Sequence, residues 1–128
     1  MAQIFTFASN RAGIHGKGSA LEARRKHGAI YGQGEGRQGN SYGIPTKETP
    51  YITLSLSEIQ KHIDKFIQHA NECPADTFNV VRIGCQNAGY TDAQIAPMFQ
   101  NAPSNVKLPI GWRNQKLGMT MDDLYDVN

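Results

Sequence analysis

The chain has 128 residues, 39% of them hydrophobic and 19% charged, with a formal net charge of +2. That is enough chain for one domain with its own core, and the composition excludes a disordered protein. The small net charge does not suggest a general nucleic-acid binder, and two cysteines, Cys73 and Cys85, are too few for a disulfide framework or a cysteine-based zinc site.

The start, MAQIFTFA, lacks a basic stretch followed by a long apolar run, so no secretory signal is expected. No apolar run approaches the ~20 residues that a membrane span needs. With both cysteines expected to be reduced, the chain reads as a cytoplasmic protein without membrane contact.

The run IFTFA, residues 4–8, is apolar on both faces and predicts a central strand. It stops at Ser9-Asn10. The loop AGIHGKG follows, with Gly13, Gly16 and Gly18 inside six residues. SALEARRK then predicts a helix over residues 19–27, with Gly28 as its C-cap. Ala20, Leu21 and Ala23 are expected to face the core, and Glu22, Arg24 and Arg25 to face water.

Strand, glycine loop and helix in this order build an anion site. Glycine lets the backbone approach a ligand closely, and the free N–H groups at the helix start face the loop. A phosphate or diphosphate suits such a site. The loop is neither a G-x-G-x-x-G fingerprint nor a P-loop ending in G-K-[ST], so an ordinary turn stays open beside the phosphate site. Charge placement favours the anion: residues 1–47 hold seven Lys/Arg against two acids, and residues 48–128 hold six against nine.

Residues 29–40, AIYGQGEGRQGN, hold four glycines and no periodic pattern. They predict a loop, either mobile surface chain or a flap over a ligand. SYGIPTK, residues 41–47, predicts a short strand, and Pro45 favours a sheet edge or the strand end. Ser55 and Glu58 form a capping box and Leu54 with Ile59 a hydrophobic staple, so a helix begins at Leu56. Leu56, Ile59, Ile63, Phe66, Ile67 and Ala70 share its apolar face, and Pro74 ends it. His62 and His69 are expected to be solvated.

TFNVVRIG, residues 77–84, predicts a second central strand running into a second loop, residues 85–90. Thr91 or Asp92 caps the helix DAQIAPMFQ, which Pro97 shortens or kinks. VKLPIGW, residues 106–112, is a third strand candidate, and its Pro109 argues for an edge. Residues 114–128 are a polar, acidic tail, either disordered or a partner contact, in which Thr120 and Asp123 start at most one helical turn.

This alternation predicts an α/β fold: a single three-layer α/β/α domain over residues 1–113, with a mixed, mostly parallel sheet. Both glycine loops follow strands and precede helices. They are expected on the same side of the sheet, as two walls of one cleft.

At these two loops the chain resembles a known family. ASNRAGIHGKGSALEA resembles the first ligand loop of macrodomains, the ADP-ribose-binding superfamily, and RIGCQNAGYTDAQIAPMF resembles their second. TLSLSEIQKHIDKFI resembles the helix between them. The branch it looks most like is the terminal-ADP-ribose glycohydrolases, in a trimmed form. That branch has a catalytic lysine in I-T-K and an R-I-G-C-G turn followed by a catalytic aspartate. Ile44-Pro45-Thr46-Lys47 matches the first segment and Arg82-Ile83-Gly84-Cys85-Gln86 the second. The aspartate position falls on Ala88, which has no acid–base chemistry. The earlier family strand with its adenine-binding aspartate has no counterpart here, a compactness that suits a phage or mobile-element protein.

The resemblance implies that Ser9, Asn10, Gly13, Ile14, His15, Gly16, Lys17, Gly18 and Ser19 hold a diphosphate from one side. It implies that Gly84, Cys85, Gln86, Asn87, Ala88, Gly89 and Tyr90 hold it from the other. Asn10 either bonds a distal ribose or caps its strand; Tyr90 either packs on a ribose or only closes its loop. His15 and Lys17 would add charge, and no metal or other cofactor is implied. Lys47 would be the nucleophile of a hydrolase if burial lowered its pKa. Ala88 favours the alternative, a module that binds and sequesters ADP-ribose or a related nucleotide, free or on a modified protein or nucleic acid. A single-stranded nucleic-acid binder ranks last, because basic and aromatic residues do not alternate.

Overall fold

The structure, a computed structural model, describes residues 1–113. The tail expected over residues 114–128, with its helical turn, lies outside the described residues. In chain order the elements are β1 (Gln3–Asn10), α1 (Gly18–Lys26), β2 (Gly36–Gln38), β3 (Ser41–Thr49), β4 (Ile52–Thr53), α2 (Leu56–Glu72), β5 (Thr77–Val80), α3 (Asp92–Ile95) and β6 (Val106–Lys107). A 3-10 turn, Ala96–Phe99, continues α3.

The described strands form one six-stranded sheet in the order β2-β3-β1-β5-β6, with β4 also on β3. β3, β1, β5 and β6 are parallel, while β2 and β4 run antiparallel to β3. The fold is therefore α/β with a mixed, mostly parallel sheet, as the alternating sequence predicts.

Helices cover both faces because β1 is apolar on both. Ile4 joins the larger core with Ile44, Phe78 and the α2 residues Ile59, Ile63 and Phe66. Phe7 points the other way, onto Ala20 and Ala23 of α1. Each large side chain buried in this way contributes about 1.5–3 kcal/mol. α2 starts where the capping box places it. The Ser55 hydroxyl accepts from the Glu58 N–H and the Glu58 carboxylate from the Ser55 N–H. α1 ends one residue earlier than expected, with His27 as its C-cap; Gly28 follows at φ +79, and the Ala29 N–H reaches back to the Ala23 carbonyl at 3.1 Å. Leu21 and Leu56 are only half-buried.

Several expectations need correction. Pro45 sits on an interior strand. It is tolerated because β2 pairs with β3 only over Ser41 to Gly43, so Pro45, which lacks an N–H, falls beyond the end of that neighbour. Residues 29–40 contain β2, and their glycines press on the first loop from outside the cleft instead of forming a flap. The Gly32 N–H donates to the Gly13 carbonyl at 2.8 Å, and a Cβ on Gly34 would overlap the Asn10 carbonyl oxygen. His62 is not simply solvated: its Nδ1 meets the Glu35 carboxylate and its Nε2 accepts from Arg11. His69 packs against the Tyr42 and Phe78 rings. β5 and β6 are shorter than predicted; Val81 and Arg82 already belong to the second loop, and Pro109 lies beyond the end of edge strand β6. Among the described residues no helix is long and apolar enough to cross a membrane.

Candidate functional site

From β1 the chain moves through α1 to β3, on one side of β1 in the sheet. From β5 it moves through α3 to β6, on the other side. α1 and α3 pack on opposite faces. The carboxyl ends of β1 and β5 therefore splay into the crevice where such sheets bind ligands. A cavity of about 390 Å³ lies there, and residues of both glycine loops line it. The first segment contributes Ser9, Asn10, Ile14, Gly16, Lys17 and Ser19; the second contributes Gly84, Gln86, Asn87 and Ala88. Thr46 and Lys47 of β3 close a third side.

The first loop is held rigidly. The Asn10 amide both donates to the Ile14 carbonyl, at 2.9 Å, and accepts from the Ile14 N–H, at 3.0 Å. The Ser9 hydroxyl donates to the Gly34 carbonyl, and the Arg11 N–H to the Lys47 carbonyl at 2.8 Å. Asn10 thus shapes its loop, the simpler of its two expected roles. Lys17 precedes α1 without any side-chain cap, so the helix start faces the cavity with uncapped N–H groups. Among the described residues, the N–H groups of Gly16 and Lys17 have no backbone acceptor.

His15 is placed otherwise than expected. It is fully buried, edge-on to Phe7, with Nε2 against the Gln33 carbonyl at 3.2 Å. That carbonyl can only accept, so Nε2 carries the hydrogen and Nδ1 is a bare acceptor. Nδ1 has no partner among the described residues. Burial, with Arg24 nearby, pushes the His15 pKa down. His15 is therefore a neutral core residue, and it adds no charge for an anion. Gly13 is likewise turned from the cavity, against the Gly32 backbone.

The second loop divides in the same way. Gln86, Asn87 and Ala88 line the cavity, and among the described residues their N–H groups have no backbone acceptor. Gly84 and Gly89, at φ +77 and +83, set the turn. Tyr90 does not reach the cavity; its hydroxyl donates to the Leu54 carbonyl at 2.7 Å, so it closes the loop. Cys85 also turns away, and burial pushes its thiol up to about 11, which makes it a poor nucleophile at neutral pH.

Three cations, Lys17, Lys47 and Arg82, line the cavity, and among the described lining residues there is no carboxylate or histidine. Arg82 is fastened by two hydrogen bonds to Asp92, at 2.8 and 3.0 Å. The Lys47 ammonium donates to the Pro50 carbonyl at 3.1 Å. Asp92, Glu35 and Glu48 are not among the lining residues, and they pair with Arg82, His62 and Arg11 respectively. The arrangement can hold an anion with preset charges and dipoles; proton transfer would fall to Lys47 or to the Tyr51 hydroxyl.

Sequence reasoning missed Arg82 and Tyr51 as cavity residues. Arg82 follows the last residue of β5 by two positions, a signal that was available; Tyr51 reaches the site only through the β3–β4 hairpin. Compared with known proteins, the chain matches no family model, no curated protein and no solved structure.

Proposed function

We propose that this protein is a macrodomain-like module that binds ADP-ribose, or a related nucleotide with a diphosphate, between its two glycine loops. One observation carries the reading: uncapped N–H groups from loops about seventy positions apart meet three cations around one cavity, with no carboxylate among its described lining residues. Anions bind at helix starts and backbone nests of this kind. A nucleotide diphosphate offers the matching charge and a size in keeping with a cavity of this volume.

A hydrolase reading has one observation in its favour, the presence of Lys47 in the cavity. Against it stands Ala88, where the resemblance would want an aspartate, and the absence of a carboxylate or histidine among the described lining residues to move protons. Binding without turnover is the better-supported function.

The test is calorimetric titration with ADP-ribose, followed by an assay for release of ADP-ribose from modified protein, on wild type and Lys47→Ala. Binding with no release in either supports the module. Release that disappears in Lys47→Ala would replace it with the hydrolase. No heat with ADP-ribose, alongside a higher melting temperature with another nucleotide, would change the ligand.

A further inference from the structure

The cations and loop amides explain a bound phosphate but not the apolar lining of the cavity. Ile14 from the first loop and Pro50 and Tyr51 from the β3–β4 hairpin contribute to that lining. Tyr51 is 93% exposed, and Ile14 is 37% exposed. No ring contact to Tyr51 occurs among the described residues, so its side chain does nothing visible for the fold.

We infer that Tyr51 is a stacking platform for an aromatic ring covalently attached to the bound phosphate, that is, for the nucleobase of the ligand. The inference rests on the anion-site reading above and adds the position of the base. Three features support it. The platform is fastened relative to the charge, because Lys47 in the cavity wall donates to the carbonyl of Pro50, the residue before Tyr51. The hairpin itself is zipped to the first loop, through the Arg11 N–H on the Lys47 carbonyl and the Ala12 N–H on the Glu48 carbonyl. And apolar lining from Ile14, Pro50 and Tyr51 shares one cavity with the three cations, the mixed polarity that a base joined to a phosphate presents. A tyrosine ring accepts any base face, so Tyr51 would set a preference for nucleotides over simple phosphates without selecting one base.

The test is calorimetry on the full chain with inorganic pyrophosphate, ADP and ADP-ribose as probes, using wild type, Tyr51→Ala and Tyr51→Phe. Wild type is expected to bind ADP more tightly than pyrophosphate. Tyr51→Ala should weaken ADP and ADP-ribose by about tenfold and leave pyrophosphate within about twofold. Tyr51→Phe, which keeps the ring, should retain wild-type affinity within about twofold. The inference is overturned if pyrophosphate binds and ADP binds no better, if Tyr51→Ala weakens all three probes equally, or if Tyr51→Phe loses as much as Tyr51→Ala. Failure of every probe to bind the wild type would instead remove the anion site, and the platform with it. Unchanged melting temperatures are expected for both variants, as Tyr51 is almost wholly in water.

Discussion

Gly18 and Asn87 touch across the cleft: a Cβ built on Gly18 would lie 3.0 Å from the Asn87 amide nitrogen. The first residue of α1 therefore lies close to the Asn87 side chain of the second loop. Gly18 also has φ +64, which a side chain disfavours. Gly18→Ala should thus strain the backbone and turn the Asn87 side chain aside. A loss of roughly 1–2 kcal/mol in urea unfolding is expected. Asn87→Ala, which removes the contact without the strain, should unfold like wild type. Equal stability of Gly18→Ala and wild type would show that the two loops do not depend on this approach.

Gly34 and Gly16 give an opposed pair. A Cβ on Gly34 would overlap the Asn10 and Arg11 carbonyl groups, all backbone atoms that cannot step aside. A Cβ on Gly16 would meet nothing within 4 Å. Gly34→Ala should cost about 1–3 kcal/mol or more and displace the first loop, whereas Gly16→Ala should melt at the wild-type temperature. A wild-type melting temperature for Gly34→Ala would mean that the 29–40 segment does not brace the loop.

What was legible in the sequence was local. The Ser55–Glu58 box, the Thr91 cap (one of two offered for α3) and the left-handed Gly28 just past the end of α1 each depend on residues within a few positions. The shared cavity followed from strand order alone, since two loops after parallel strands must open on one edge. What was not legible depends on distant partners. Gly34 is glycine because of carbonyls on Asn10 and Arg11, and His15 is neutral because Phe7 and the Gln33 segment bury it. Glu35 sits in a glycine-rich segment without a periodic pattern, yet it reaches His62 on α2. β2 was missed because three residues paired with β3 leave no periodic trace.

His15 makes stability depend on pH, with a definite sign. Burial lowers its folded pKa, and His69 is lowered too, first by burial and then by Arg37. The unfolded chain takes up protons near the ordinary value of ~6.5, while the folded chain resists them. The stability is thus fully present above that pH and falls as the solution is acidified through it. Urea unfolding at pH 7.5 and 5.5 should show a lower midpoint in acid. His15→Phe, which keeps a ring against Phe7, should flatten part of that slope whatever its absolute stability. An unchanged slope in the variant would show that His15 takes no part.

Asp92 gathers the second loop into the core. Its carboxylate accepts from Arg82 twice, from the buried Trp112 indole at 2.7 Å and from the Cys85 thiol at 3.8 Å. Arg82 is the largest influence holding the Asp92 carboxyl below its usual range. One side chain thus joins a cavity cation, the turn behind the cavity and the only tryptophan of the chain. Asp92→Ala should lower stability by about 1–3 kcal/mol through these lost hydrogen bonds. Asp92→Asn, which keeps an acceptor for the indole but not the charge facing Arg82, should fall between. Trp112 fluorescence follows the unfolding directly, and an emission shift in folded Asp92→Ala that Asp92→Asn lacks would locate the change at the indole. If Asp92→Ala unfolds at the wild-type midpoint, Arg82 is held in the cavity wall by something other than this carboxylate.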